Sequence, residues 1–111
     1  MAYDEALADR IRALIGDDPD VSEKSMFGGL AFLVGGNMAV GSSGQGGLMV
    51  RVDRAQTDAL LAQPHAEPFV MRGKAARGWL RVAAEGLLTD EQLEPWVERG
   101  VAYARSLPPK R

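Results

Sequence analysis

The sequence predicts an α+β fold. It reads as a two-layer sandwich of about six antiparallel strands with helices on one face, in the order α-β-β-β-β-α-β-β-α. Three observations carry this expectation. First, MFGGLAFLVGGNMAVG at 26–41 alternates apolar with small residues and sets Gly35-Gly36-Asn37 between two apolar runs as a hairpin signal. Second, LMVRV at 48–52 and PFVMRGKAARGWLRV at 68–82 contribute further short alternating runs. Third, helix-period stripes lie at both ends of the chain, and helices gathered on one side of a meandering sheet make a two-layer domain.

The first helix is expected over 3–15, because Leu7, Ile11, Leu14 and Ile15 form one stripe while Asp4, Glu5, Asp9 and Arg12 fall largely off it. Gly16 supplies its stop, and Asp17-Asp18-Pro19-Asp20 reads as a solvated turn without the ligand spacing of a calcium loop. Strands follow at 22–27, 29–35, 37–42 and 48–52, with Gly28-Gly29 marking a bend or bulge. GSSGQGG at 41–47 precedes a strand and lacks a closing Lys-Ser or Lys-Thr, so it is a hairpin loop and not a phosphate cradle. Asp53 caps a helix over 54–62, with Leu60 and Leu61 near its end and Pro64 beyond it. Phe69–Arg72 and Trp79–Ala84 read as strands joined by a GKAARG linker. Thr89 with Gln92 makes a capping box, and Leu88 with Leu93 a hydrophobic staple. The last helix turns Leu93, Trp96, Val97, Gly100, Val101 and Ala104 inward. Pro95 predicts a kink or a late restart, and the tail Leu107-Pro108-Pro109-Lys110-Arg111 ends the element.

A chain of 111 residues fits a single domain over 1–111 with one core and no staples. Thirteen basic against fifteen acidic side chains give a charge of -2, which argues against a protein held on nucleic acid by its overall field. The absence of cysteine excludes disulfides, thiolate metal sites and thiol catalysis. MAYDEALADR does not read as a signal peptide, and no apolar run approaches the roughly 18 residues of a membrane span. A cytoplasmic protein with no membrane partner is expected.

Period-2 alternation sorts the strand residues into two faces. Leu30, Phe32, Val34, Met38, Val40, Leu48, Val50, Val52, Leu80 and Val82 are assigned to the helix-covered side. Ala31, Leu33, Ala39, Met49, Arg51, Trp79 and Arg81 are assigned to the other, with Arg72 a candidate to join them. A polar open face is usual in such domains. Arginine and tryptophan there instead suggest a contact surface. Its occupant would be a partner protein, a second copy of the chain or an anionic ligand. The plainer alternative is that the arginine stems and Trp79 cover each other, with the tail folded across.

Catalytic readings find little support. His65, the only histidine, sits between two prolines on an exposed loop, and Ser42 and Ser43 lack a nucleophile-elbow context. One histidine without cysteine leaves no transition-metal set, and no cofactor is expected. The candidate binding face therefore comprises Arg51, Arg72, Lys74, Arg77, Trp79 and Arg81. The basic 72–81 segment beside Trp79 is the best nucleic-acid candidate.

With these residues placed, the chain resembles the TfoX/Sxy N-terminal domain family. The matching pieces are MFGGLAFLVGGNMAVG at 26–41, LMVRV at 48–52, PFVMRGKAARGWLRV at 68–82, Trp96, and Ser-Leu-Pro-Pro at 106–109. The resemblance implies an antiparallel α+β domain and kinship with regulators of natural competence, which are thought to help the cyclic-AMP receptor protein at particular promoters. It marks Met26, Phe27, Gly28, Gly29, Arg51, Gly73, Gly78 and Trp79 as structural or interaction positions and carries over no catalytic residue. Full competence regulators of this kind have a second, C-terminal domain, so a stand-alone N-terminal domain is expected here. The leading reading is a non-enzymatic protein-interaction module, of the transcriptional-regulator kind, with an unidentified protein partner or a homodimer. Its alternatives are a nucleic-acid-binding module using 72–81, and a small anionic-ligand binder or enzyme using Arg51 and Arg72.

Overall fold

The computed structural model describes residues 3–26, 28–71 and 73–109; Phe27 and Arg72 lie outside the described residues. Helix α1 (Glu5–Ile15) starts where the Asp4 carboxylate accepts the Leu7 N–H at 3.1 Å. It ends at Gly16, whose φ of 72° is a conformation that suits glycine. Four strands follow: β1 (Val21–Met26), β2 (Gly29–Val34), β3 (Asn37–Ser42) and β4 (Leu48–Arg51). A 3-10 turn, Arg54–Gln56, capped by Asp53, runs into α2 (Thr57–Leu61). The chain continues as β5 (Ala66–Met71) and β6 (Lys74–Val82), and after a second 3-10 turn it ends in α3 (Asp90–Ser106).

The six strands form one antiparallel sheet in the order β1-β2-β3-β4-β6-β5. The α+β class and the element order expected from the sequence are those of the structure. The main core joins Leu7, Ala8 and Ile11 of α1 and Leu93, Trp96 and Val97 of α3 to Leu30, Phe32, Val40, Leu48, Val50, Val52, Leu80 and Val82 of the sheet side. Each of these larger side chains contributes about 1.5–3 kcal/mol when fully buried.

Two face assignments reverse. Met38 lies on the helix-free side with Ala31 and Met49, and Ala39 packs with Ala104 of α3. The cause is a register shift: Phe32 pairs with Val40, yet Leu33 pairs with Met38, leaving Ala39 as an extra residue on β3. One inserted residue changes the phase of everything before it.

The hairpin β5–β6 is also longer than expected. Most of the GKAARG linker is strand, with Met71 opposite Lys74 and Val70 opposite Ala75. β5 begins at Ala66, and its Pro68 is tolerated because the strand is an edge. The second helix is shorter than 54–62. The capping box forms, with Thr89 Oγ1 accepting the Gln92 N–H at 3.2 Å and Gln92 Oε1 accepting the Thr89 N–H at 3.1 Å. Leu88, however, stays 75% exposed and does not close a staple on Leu93. The helix does not restart at Pro95 but runs from Asp90 through it. Pro95 and Glu91 are both exposed, so water can satisfy the Glu91 carbonyl that the proline cannot serve.

The tail runs beside the β2–β3 hairpin, where the Asn37 side-chain amide donates to the Pro108 carbonyl at 2.9 Å. The tail, described through Pro109, does not fold across the helix-free face. Among the described residues no helix is long and apolar enough to cross a membrane.

Candidate binding face

β4 and β6 pair so that Arg51 stands opposite Trp79 and Met49 opposite Arg81. The face they share is less open than alternation implies. Ala31, Met38, Met49 and Phe69 are buried there as a second, smaller cluster, flanked by partly buried Met26, Leu33 and Trp79. Phe69, which the sequence reading gave to no face, brings its ring to 6.4 Å from that of Trp79, tilted by 42°. The apolar part of the face thus closes on itself. Trp79, Arg51 and Arg81 remain half-exposed.

Arg51 has two aromatic neighbours. Its guanidinium lies 5.5 Å from the Trp79 ring centre and 5.7 Å from that of Tyr103 on α3. Both distances are within the range of cation–π attraction, about 0.5–1 kcal/mol for an exposed pair. Among the described residues no carboxylate pairs with Arg51. Tyr103 was missed by sequence reasoning. Its signal was helix spacing, for it follows Trp96 by seven residues and so shares the edge of the buried stripe of α3.

The other cations do not gather around this pair. Arg81 is a fastener: its Nε donates to the Gly46 carbonyl at 2.8 Å, one Nη to Gln45 at 3.1 Å, and the other to the Glu67 carboxylate at 2.6 Å. It ties the glycine-rich loop to the β5–β6 hairpin. Arg77 instead meets Asp58 of α2 at 3.5 Å, with both side chains well exposed. Lys74 is exposed near the hairpin tip, and Arg72 lies outside the described residues.

The position of Trp79 is set by the glycine before it. Gly78 has a φ of 90°, its N–H donates to the buried Thr57 Oγ1 at 3.0 Å, and its carbonyl accepts the Val52 N–H at 2.8 Å. The β5–β6 register is also irregular here, between Pro68 and Val70. Strict alternation therefore fails along β6, and Arg77 turns towards α2 while Trp79 joins the opposite face.

The residues weighed as catalytic candidates make the following contacts. His65 is exposed with a φ of 68°, and its carbonyl accepts the Ala83 N–H at 2.9 Å. The Ser42 hydroxyl donates to the Asp4 carbonyl at 2.9 Å, and Ser43 Oγ accepts the Gln45 N–H at 3.1 Å. Among the described residues no cluster of three His, Asp or Glu side chains could hold a metal ion.

Compared with known families, residues 13–104 of the 111 are matched by the model of the TfoX N-terminal domain. No curated protein matches the chain.

Proposed function

The chain belongs to the TfoX N-terminal domain family, and on that premise we propose that it is a non-enzymatic protein-interaction module in transcriptional regulation of the competence type. At the family level the match supports a competence-related regulatory or interaction module. The observation that carries the reading is Arg51, held beside Trp79 and Tyr103 with no carboxylate of its own among the described residues. Arginine and tryptophan are the side chains most concentrated at interface hot spots. A guanidinium already fixed against two rings also loses less freedom on docking than a free one. The expected partner is a protein that sets an acceptor group against Arg51 and an apolar side chain against Trp79.

Affinity capture from the native cell tests this, with the parent compared against an Arg51→Ala/Trp79→Ala double variant and an Arg77→Ala control. The double variant should lose the parent's specific partner about tenfold or more, a loss of roughly 1.4 kcal/mol, while the control retains it. A double variant that folds normally and captures the same partner at the same yield removes the reading. The nucleic-acid alternative loses one of its cations, because Arg81 is tied to Gly46, Gln45 and Glu67, while Lys74 and Arg77 stay exposed. Labelled DNA that shifts at low salt, with affinity falling steeply as salt is added, would restore it.

A further inference from the structure

A cleft of about 300 Å³ opens between the second half of α3 and the Arg54–Leu61 segment. Its wall has an apolar side, formed by Val52, Leu60 and Ala102, and a polar side formed by Gln56, Arg99 and Tyr103. The polar side is rich in unspent donors. Among the described residues, the Arg99 guanidinium, the Gln56 side-chain amide and the Tyr103 hydroxyl make no hydrogen bond within the protein. The Arg99 guanidinium instead lies 4.7 Å from the ring centre of the buried Trp96, within the range of cation–π attraction. A guanidinium resting on a ring leaves its in-plane N–H groups to face a ligand, and that fork matches a carboxylate. Asp53 is the acid on this wall, and one of its oxygens already accepts the Ala55 N–H at 2.8 Å. Its remaining charge repels a multiply charged anion more than a singly charged one, which sets a carboxylate above a phosphate.

We propose that this cleft binds a small organic monocarboxylate. The acid group meets the Arg99 fork, with Tyr103 and Gln56 as further donors. The apolar body lies against Val52, Leu60 and Ala102. The cleft's volume is at the lower end of that of small-ligand sites. The cleft borders the Arg51–Trp79 contact, because Tyr103 lines it and also faces the Arg51 guanidinium, but the proposal does not depend on that contact.

Titration of isotope-labelled protein with benzoate, acetate and inorganic phosphate tests the site, read at the Arg99 Nε–H and Gln56 side-chain amide resonances. Benzoate should give saturable shifts at both, acetate weaker ones for want of an apolar body, and phosphate the weakest. Arg99→Gln should weaken benzoate about tenfold. Ala102→Trp, a change at an exposed position, should block the cleft and abolish the shifts while the fold persists. No saturable benzoate shift in the parent, phosphate binding as tightly as benzoate, or unchanged benzoate affinity in a folded Ala102→Trp variant would each overturn the proposal.

Discussion

One hydroxyl fastens the strand that carries Trp79. Thr57 is buried, and its Oγ1 accepts the Gly78 N–H at 3.0 Å across 21 residues of sequence. Replacing Thr57 by valine keeps the shape but strands that N–H in the interior, so Thr57→Val should cost about 1–3 kcal/mol. Thr57→Ser, which keeps the acceptor, should cost clearly less. Urea unfolding of the two variants beside the parent checks the difference, and equal losses would show that the hydroxyl is not what matters. In the sequence Thr57 looks like an ordinary residue of a short helix, because its partner is a backbone group supplied by a distant strand. Arg51 and Trp79 were more legible. Both come from simple alternating runs, and antiparallel pairing sets them opposite each other.

At the scale of elements, α3 presses on β3 through a missing side chain. A Cβ at Gly100 would lie 2.5 Å from both the Ala39 carbonyl oxygen and a Val40 methyl. Gly100→Ala would gain up to about 1 kcal/mol of helix propensity yet force the helix away from the strand, at about 1–3 kcal/mol for overpacking. The expected outcome is a net lower urea midpoint; a stabilised variant would mean that the helix can lift without loss. The helical stripe made Gly100 legible as buried, but the need for glycine depends on the bulge at Ala39, which no local pattern announces. The same bulge explains why Met38 and Ala39 exchanged faces. The edges of the sheet carry a different message. In β1, Glu23 and Lys24 lie at the middle of the strand, and two copies pairing there about an axis normal to the sheet would set like charges opposite each other in registers centred on either residue. The other edge strand contains Pro68, which cannot donate to an added strand. Both edges therefore resist strand-to-strand self-association.

Over the whole molecule, charges that cluster in the sequence separate in space, and charges far apart in the sequence meet. The basic run near Trp79 divides between Asp58 and Glu67. Conversely, Arg105 of α3 reaches Asp18 at 2.5 Å across 87 residues, and Arg12 of α1 grips Glu23 of β1 with two bonds of 2.7 Å. Together these pairs fasten the α1–β1 corner to both long helices. The hydrogen bond from Arg12 holds the Glu23 carboxyl below its ordinary range, and that from Arg105, helped by the Asp20 N–H, does the same for Asp18. Near the acid end of the carboxylate range the folded chain therefore binds fewer protons at these sites than the unfolded chain does. Their contribution is complete above the unfolded carboxylate values near pH 4 and is lost as the pH falls through the lowered folded values. Because Glu23 is over a third exposed, its share is small, about 0.2–1 kcal/mol. Glu23→Gln should thus unfold at a lower urea concentration than the parent at pH 7, and the gap should narrow as the pH falls below about 4 and close once Glu23 of the parent is protonated in the folded chain as well. Asp18→Asn should follow the same course. A gap that keeps its size from neutral to acid pH would mean that the variants weaken packing at this corner and not its ion pairs.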